Sequence, residues 1–331
     1  MKRGFLSLVL VVCMASGLLA CSAGEKQSEE KQSTGEDGTL AIMTTIFPAY
    51  DWVETILGEN PANAKVSMLL DNGVDLHSYQ PTAEDILNIG ASDLFVYVGG
   101  ESDAWIKDAL SQASNPDLVA VNLLDVLGDK AREEELVEGM EEEEEEEEEA
   151  GEAPEYDEHV WLSLRNASVF VEAIAESLAS IDPEHAQNYE KNAKAYLEQC
   201  AALDAKYQEA VSAADQKILL FGDRFPFLYL TEDYGLEYYA AFAGCSAETE
   251  ASFETIVFLA NKVDEYSLPA ILTMEGSDHK MAETIRENTS TKDQKILTLD
   301  SMQSTTMEDV ESGASFLSIM EANLAVLKEA L

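Results

Sequence analysis

The chain has 331 residues and a formal net charge of −45 at pH 7, which repels nucleic-acid phosphates and excludes nucleic acid as a partner. Its apolar fraction of 46% is ordinary for a globular protein, so the acidity describes surface and partners rather than a failure to fold. The length fits two modest domains or one large one.

Lys2 and Arg3 open the chain, Phe5 to Met14 form a short apolar run, and Leu18-Leu19-Ala20-Cys21 follows. The run is too short for a comfortable membrane span, so residues 1–20 read as a lipoprotein signal peptide. The L-L-A-C ending resembles a bacterial lipobox, in which cleavage leaves Cys21 as the lipid-modified N-terminus. Two or more acyl chains on it would anchor the protein stably to the outer face of the cell membrane. The alternative is an ordinary signal peptide with an incidental cysteine. Ser, Gly, Glu, Lys and Gln fill residues 22–38, as a solvated, flexible tether over 21–38 requires.

Short β-rich runs then alternate with helical stretches. The first four are Leu40–Ile46, Lys65–Leu70, Leu94–Val98 and Leu118–Asn122. Next comes an acidic segment: from Glu133 to Glu158 there are seventeen carboxylates, with Glu141 to Glu149 unbroken, and no Lys, Arg or His. Such a density of like charge predicts a solvated, mobile loop over about 131–157. A long helix is expected from Pro183 to about Val211, with Asp182 at its N-cap. Tyr189, Ala193, Tyr196, Cys200, Leu203 and Tyr207 are spaced 4, 3, 4, 3 and 4 along it, one face of a helix. At roughly 45 Å it is long enough to brace two lobes and limit hinge motion between them. Four further β-rich runs follow: Ile218–Phe221, Tyr238–Phe242, Ala270–Thr273 and Lys295–Leu299.

Strands alternating with helices predict an α/β fold of two Rossmann-like lobes, each a mostly parallel four-stranded sheet, joined by the long helix. The expected division is an N-terminal lobe over 39–164, a helical linker over 165–213 and a C-terminal lobe over 214–331. Cys200 lies in the apolar stripe and reads as a packed thiol, a disulfide with Cys245 being the alternative.

In open parallel sheets ligands bind at the carboxyl ends of the strands. The polar residues there are Asp75 and His77 after the second run, Asp223-Arg224 after the fifth, Cys245, Glu248 and Glu250 after the sixth, Glu275 after the seventh and Asp300 after the eighth. His77 and His159 are the imidazoles placed to face a cleft; His185 falls in the first turn of the long helix and His279 near the start of another. Two imidazoles with carboxylates form a candidate divalent-metal site, though a histidine after a strand also serves as a hydrogen-bonded structural residue. No H-E-x-x-H, G-x-S-x-G, P-loop or G-x-G-x-x-G occurs, so the usual enzyme signatures are missing.

At these residues the chain resembles the metal-binding receptors of zinc and manganese ABC importers, the lipoprotein or periplasmic solute-binding proteins of that group. The segments that carry the resemblance are TTIFPAYDWVETILGE, NGVDLHSYQPTAEDI, SDLFVYVGGESDAWI, DEHVWLSLRNA, DPEHAQNYEKNA, EDYGL and ETEASFETI. Within them, D-x-H-x-Y-x-P-T and D-x-H-V-W-L-S are together quite specific. The resemblance implies one metal held between the lobes, with His77 and His159 as the ligands from the first lobe and Glu275 as the acidic ligand after the seventh strand. The family's third ligand stands ten residues before the Tyr of a Y-G motif, and that position here is Arg224, which cannot bind a cation. Asp223 is the expected substitute, with Cys245 and Glu250 as alternatives. With Asp223 the site would hold two imidazoles and two carboxylates, harder than a three-histidine site and shifted from zinc toward manganese or iron.

The expected function is therefore a lipid-anchored, extracytoplasmic and monomeric receptor. It would capture zinc or manganese in the interlobe cleft and deliver it to an ABC permease, without catalysis. Capture should weaken as the histidines protonate in mildly acidic medium. The rivals are a surface metalloenzyme such as a hydrolase, an acidic adhesin-like lipoprotein, and a degenerate receptor without a working site. The nine glutamates read as a cation-concentrating accessory or as a spacer.

Overall fold

The structure, a computed structural model, describes residues 39–140, 155–246 and 251–331. The expected signal peptide, the tether, Cys21, the glutamate run, Glu248 and Glu250 lie outside the described residues. Among the described residues no helix is long and apolar enough to cross a membrane.

Two four-stranded parallel sheets of identical build form the scaffold. In the first, β1 (Ala41–Thr44), β2 (Lys65–Met68), β3 (Leu94–Tyr97) and β4 (Val119–Asn122) run in the order β2-β1-β3-β4. In the second, β5 (Ile218–Phe225), β6 (Glu237–Ala243), β7 (Ala270–Met274) and β8 (Lys295–Leu299) run in the order β6-β5-β7-β8. The central strands are apolar nearly throughout because helices cover both sheet faces, as in β3, where Leu94, Phe95 and Val96 are fully buried. In each sheet the strand order reverses beside the first strand, which opens a crevice at the carboxyl ends.

The helices are α1 (Phe47–Leu57), α2 (Ala83–Ala91), α3 (Ile106–Ser111), α4 (Leu123–Leu127), α5 (Leu164–Ile181), α6 (Ala186–Ala213), α7 (Leu228–Tyr234), α8 (Phe253–Tyr266), α9 (Lys280–Asn288), α10 (Met307–Glu311) and α11 (Phe316–Ala330). The main core runs from one lobe into the other. Trp52 of α1, fully buried, packs its ring 5.6 Å from Phe170 of α5 and 5.2 Å from Phe316 of α11. Burial of one such side chain stabilises by about 1.5–3 kcal/mol, so this three-helix junction resists parting of the lobes.

The long helix α6 buries Tyr189, Ala193, Tyr196, Cys200, Leu203, Tyr207 and Val211, the face read from the spacing. Toward the first lobe, Tyr196 donates to Asp51 of α1 at 3.4 Å. Toward the second, Tyr207 donates to the Met320 carbonyl of α11 at 2.6 Å and stacks on Tyr234 of α7. The helix starts at Ala186 rather than Pro183, and Asp182 caps the end of α5 instead. The reason is local: the Asp182 carboxylate accepts from His185 Nδ1 at 2.7 Å and Tyr189 Oη at 2.6 Å, holding a turn between the two helices. Cys200 and Cys245 are both free thiols.

Two further boundaries differ from the sequence reading. Strand β5 continues through Asp223-Arg224, with a register shift between Phe221 and Arg224, and resumes pairing at Arg224–Phe242 and Phe225–Ala243. Asp223 and Arg224 therefore lie within the strand and not after it. The expected mobile loop over 131–157 is anchored at both ends. Glu133 bridges Tyr156, Asp157 N–H donates to the Arg132 carbonyl at 2.9 Å, and Met140, Asp157 and Glu158 are buried. Backbone pairing between the two ends supplies partners that charge density alone does not reveal.

Candidate metal centre

The loop after β2 carries His77 in a one-turn 3-10 helix, Leu76–Ser78. Asp75 starts that turn, its Oδ1 accepting from His77 N–H at 3.0 Å, the usual way a short acidic side chain caps a helical turn. The His77 ring is held from behind: Nδ1 lies 2.9 Å from Ser102 Oγ and 3.4 Å from Glu158 Oε2. Glu158 reaches this position because the loop after β3 is Gly99-Gly100, both at positive φ. A Cβ on Gly100 would stand 2.3 Å from Glu158 Oε1, the oxygen that accepts from Ser102 N–H at 2.8 Å.

His159 is completely buried at the start of the turn Val160–Leu162. Asp157 Oδ1 accepts from its backbone N–H at 2.8 Å and from Nδ1 at 3.1 Å, which places the ring proton on Nδ1 and leaves Nε2 as the donor to a metal. Trp161 flanks the ring at 5.3 Å between centroids, its own indole anchored to the Ser301 carbonyl of the second lobe at 2.8 Å. The two imidazoles meet with Nε2 to Nε2 at 3.1 Å. Tetrahedral zinc with Zn–N bonds of 2.0–2.1 Å needs the two nitrogens about 3.3 Å apart, so the pair is close to spaced for one ion.

Burial, with His159 beside it, pulls the His77 pKa down to about 3. Burial opposes the proton on His159 as well, but Asp157, then Asp75 and Glu158, outweigh it and raise that pKa. The two shifts run in opposite directions, so of the pair His159 holds a proton the more readily and His77 the less.

Cys245 completes a third corner. It follows β6, its N–H donates to Glu134 Oε1 at 2.8 Å, and its Sγ and a ring nitrogen of each histidine all lie within 4.8 Å of one another. Burial, followed by Asp157 and Glu134, pushes its thiol pKa up, so without a metal it is a neutral thiol. Among the described residues no other His, Cys, Asp or Glu joins this group. His77, Glu158 and Cys245 also line a cavity of ≈ 560 Å³ together with Glu101 and Glu155.

The structure brings His77 and His159 together and does not add Asp223 and Glu275 to them. Asp223 Oδ1 accepts from Arg224 N–H at 2.9 Å and Oδ2 from Met274 N–H at 3.2 Å, bonds made possible by its place in the β5 bulge. Glu275 accepts from Ser301 N–H at 2.6 Å, Ser301 Oγ at 2.7 Å and Gln303 N–H at 3.1 Å. Arg224 reaches Asp75 Oδ2 at 2.6 Å and the Ser246 carbonyl at 3.1 Å. His185 is occupied with Asp182, and His279 Nδ1 lies 3.1 Å from Thr273 Oγ1. Asp157, Glu158 and Ser102 were not singled out from the sequence, although D-E-H-V-W and the G-G-E-S run already carried them.

The comparisons with known proteins agree with this architecture. Residues 42–330 match the family model described as zinc-uptake complex component A, periplasmic (ZnuA). The zinc-binding lipoprotein AdcA of Streptococcus pneumoniae is 33% identical over 326 residues, 98% of this chain but 60% of that protein. The high-affinity zinc uptake system protein ZnuA of Bacillus subtilis is 29% identical over 324 residues, 97% of both chains. The chain thus spans about 60% of the length of the curated relatives it matches first. Among solved structures, the Zn(II)-bound ZnuA-like domain of Streptococcus pneumoniae AdcA superposes with a TM-score of 0.69 at 30% identity, covering 88% of this chain and 99% of that one.

Proposed function

The chain belongs to the zinc-uptake complex component A family, and on that premise we propose that it is the extracytoplasmic binding component of a zinc importer. It captures the ion between its two lobes and hands it to an ABC permease, with no covalent step. The observation that carries this reading is the pair of imidazoles from two separate loops, Nε2 to Nε2 at 3.1 Å, each with Nδ1 engaged by its own partner. His77 and His159 are two of the metal's ligands. The names of the relatives support zinc as the cargo; imidazole donors suit zinc, and carboxylates in their place would favour manganese. The lipobox-like ending supports attachment of the protein to the membrane through Cys21, and a single chain suffices for the site, which supports a monomer.

The test is zinc titration against a competing chelator with the purified protein and the double variant His77→Ala, His159→Ala. Stoichiometric binding by the wild type and loss of at least a hundredfold in affinity by the variant are expected. Equal titration of the two proteins would refute the assignment.

A further inference from the structure

Arg224 stands where the resemblance expects a third ligand, so a metal held by His77 and His159 needs another donor. We propose that Cys245 supplies it as a thiolate, and that this makes the centre a nitrogen-and-sulfur site selective for zinc and other thiophilic divalent ions over manganese. The inference rests on the reading of His77 and His159 as metal ligands.

Three observations carry it. The Cys245 sulfur and the two imidazoles converge within 4.8 Å, with no other acidic, His or Cys side chain among the described residues in the group. A tetrahedral site with Zn–S near 2.3 Å and Zn–N of 2.0–2.1 Å needs nitrogen and sulfur about 3.6 Å apart, a contraction that loop ends can supply. The approach of this loop is built in. Gly244, the residue before, passes so close to His159 that a Cβ there would lie 3.1 Å from its Nδ1 and Cε1. Finally, Arg224 ties the loops of two corners together. One arm of its guanidinium holds Asp75, which caps the His77 turn, and the other holds the carbonyl of Ser246, next to Cys245. The cation at this position thereby positions donors instead of being one.

Binding replaces the S–H bond by an S–metal bond and releases the proton to solvent. Thiolate is a soft ligand that favours zinc over the oxygen-preferring manganese, which reverses the expectation drawn from Asp223. Cys200 is too deep in the α6 stripe to serve: it is 1% exposed.

Cobalt(II) substitution tests the assignment directly. The full chain loaded with cobalt(II) should show a near-ultraviolet thiolate-to-cobalt charge-transfer band that Cys245→Ser lacks and Cys200→Ser keeps. Cys245→Ser should also lose at least tenfold in zinc affinity while its metal-free melting temperature stays near that of the wild type. Cys245→Asp should narrow the zinc-over-manganese preference. A cobalt-loaded wild type without the band, together with unchanged zinc affinity in Cys245→Ser, overturns the thiolate and leaves the zinc-receptor reading standing. A wild type that binds neither zinc nor cobalt overturns that reading and the thiolate with it.

Discussion

Gly244→Ala is the smallest change that probes whether the close packing around His159 matters. An added Cβ would lie 2.8 Å from the Phe225 carbonyl oxygen and 3.1 Å from two atoms of the His159 ring. Neither neighbour has room to give. Phe225 belongs to the β5–β6 ladder through its pairing with Ala243. The His159 ring is completely buried, bonded to Asp157 on one side and packed on Trp161. Overpacking of this kind costs about 1–3 kcal/mol, and relief requires the ring or the loop to shift by a few tenths of an ångström. That displacement moves Nε2 of His159 relative to His77, and disturbing the supports of a metal ligand typically costs 10–100-fold in affinity. Zinc competition titration and thermal melting of the metal-free protein measure the two effects separately. We expect a zinc affinity lowered by about tenfold or more, and a melting temperature lowered by a few degrees. Zinc affinity within twofold of the wild type and an unchanged melting temperature would show that the site tolerates the Cβ and that the tight approach of the loop is not part of its design.

Two further predictions test the surroundings of the site. Arg224→Gln should weaken zinc binding about tenfold by releasing the His77 and Cys245 loops, and loss of its charged hydrogen bonds should cost about 1.5–3 kcal/mol in chemical denaturation; a variant that binds zinc as tightly as the wild type would deny Arg224 a positioning role. Asp103, which accepts from Val98 and Gly99 N–H groups at 3.0 Å, is raised from 3.8 to about 7, chiefly by burial. The folded protein holds this proton more tightly than the unfolded chain, so the stabilisation is complete below 3.8 and is lost as pH rises through about 7, at roughly 1.4 kcal/mol per pH unit between the two values. Asp103→Asn removes this contribution, and denaturation midpoints of the metal-free proteins between pH 5 and 8 should show the variant with the shallower decline; parallel curves would refute the assignment.

The fold was legible wherever one periodic pattern decided it. Eight apolar runs became eight strands, and the 4-3-4-3-4 spacing along α6 named its buried face residue by residue, because a helix presents the same face however its ends are drawn. Its start was misplaced because Asp182 and Pro183 form a good helix opening in isolation, and only His185 and Tyr189, one and two turns of chain away, claim the carboxylate for a different turn. The anchored ends of the acidic segment escaped composition for the same reason. A buried Asp157 or Glu158 is recognisable only once its partners on His159 and Ser102 are in place.

The candidate site divides along the same line. His77 and His159 stand in short segments whose neighbours, Asp75 and Asp157, cap or orient them from two residues away, so local sequence carries both the donor and its support. The third corner has no such signature, since what brings Cys245 near the histidines is the absence of a side chain at Gly244 and a guanidinium from β5. Counting along the chain reaches position 224, and beside it the strand pairing of β5 turns Asp223 onto the Met274 amide of β7. Each Asp223 oxygen accepts one backbone N–H, and the carboxylate is not gathered with the two imidazoles. The Cys245 sulfur, by contrast, lies within 4.8 Å of a ring nitrogen of each histidine, which is why the proposed third donor is the residue that packing delivers and not the nearest carboxylate in sequence.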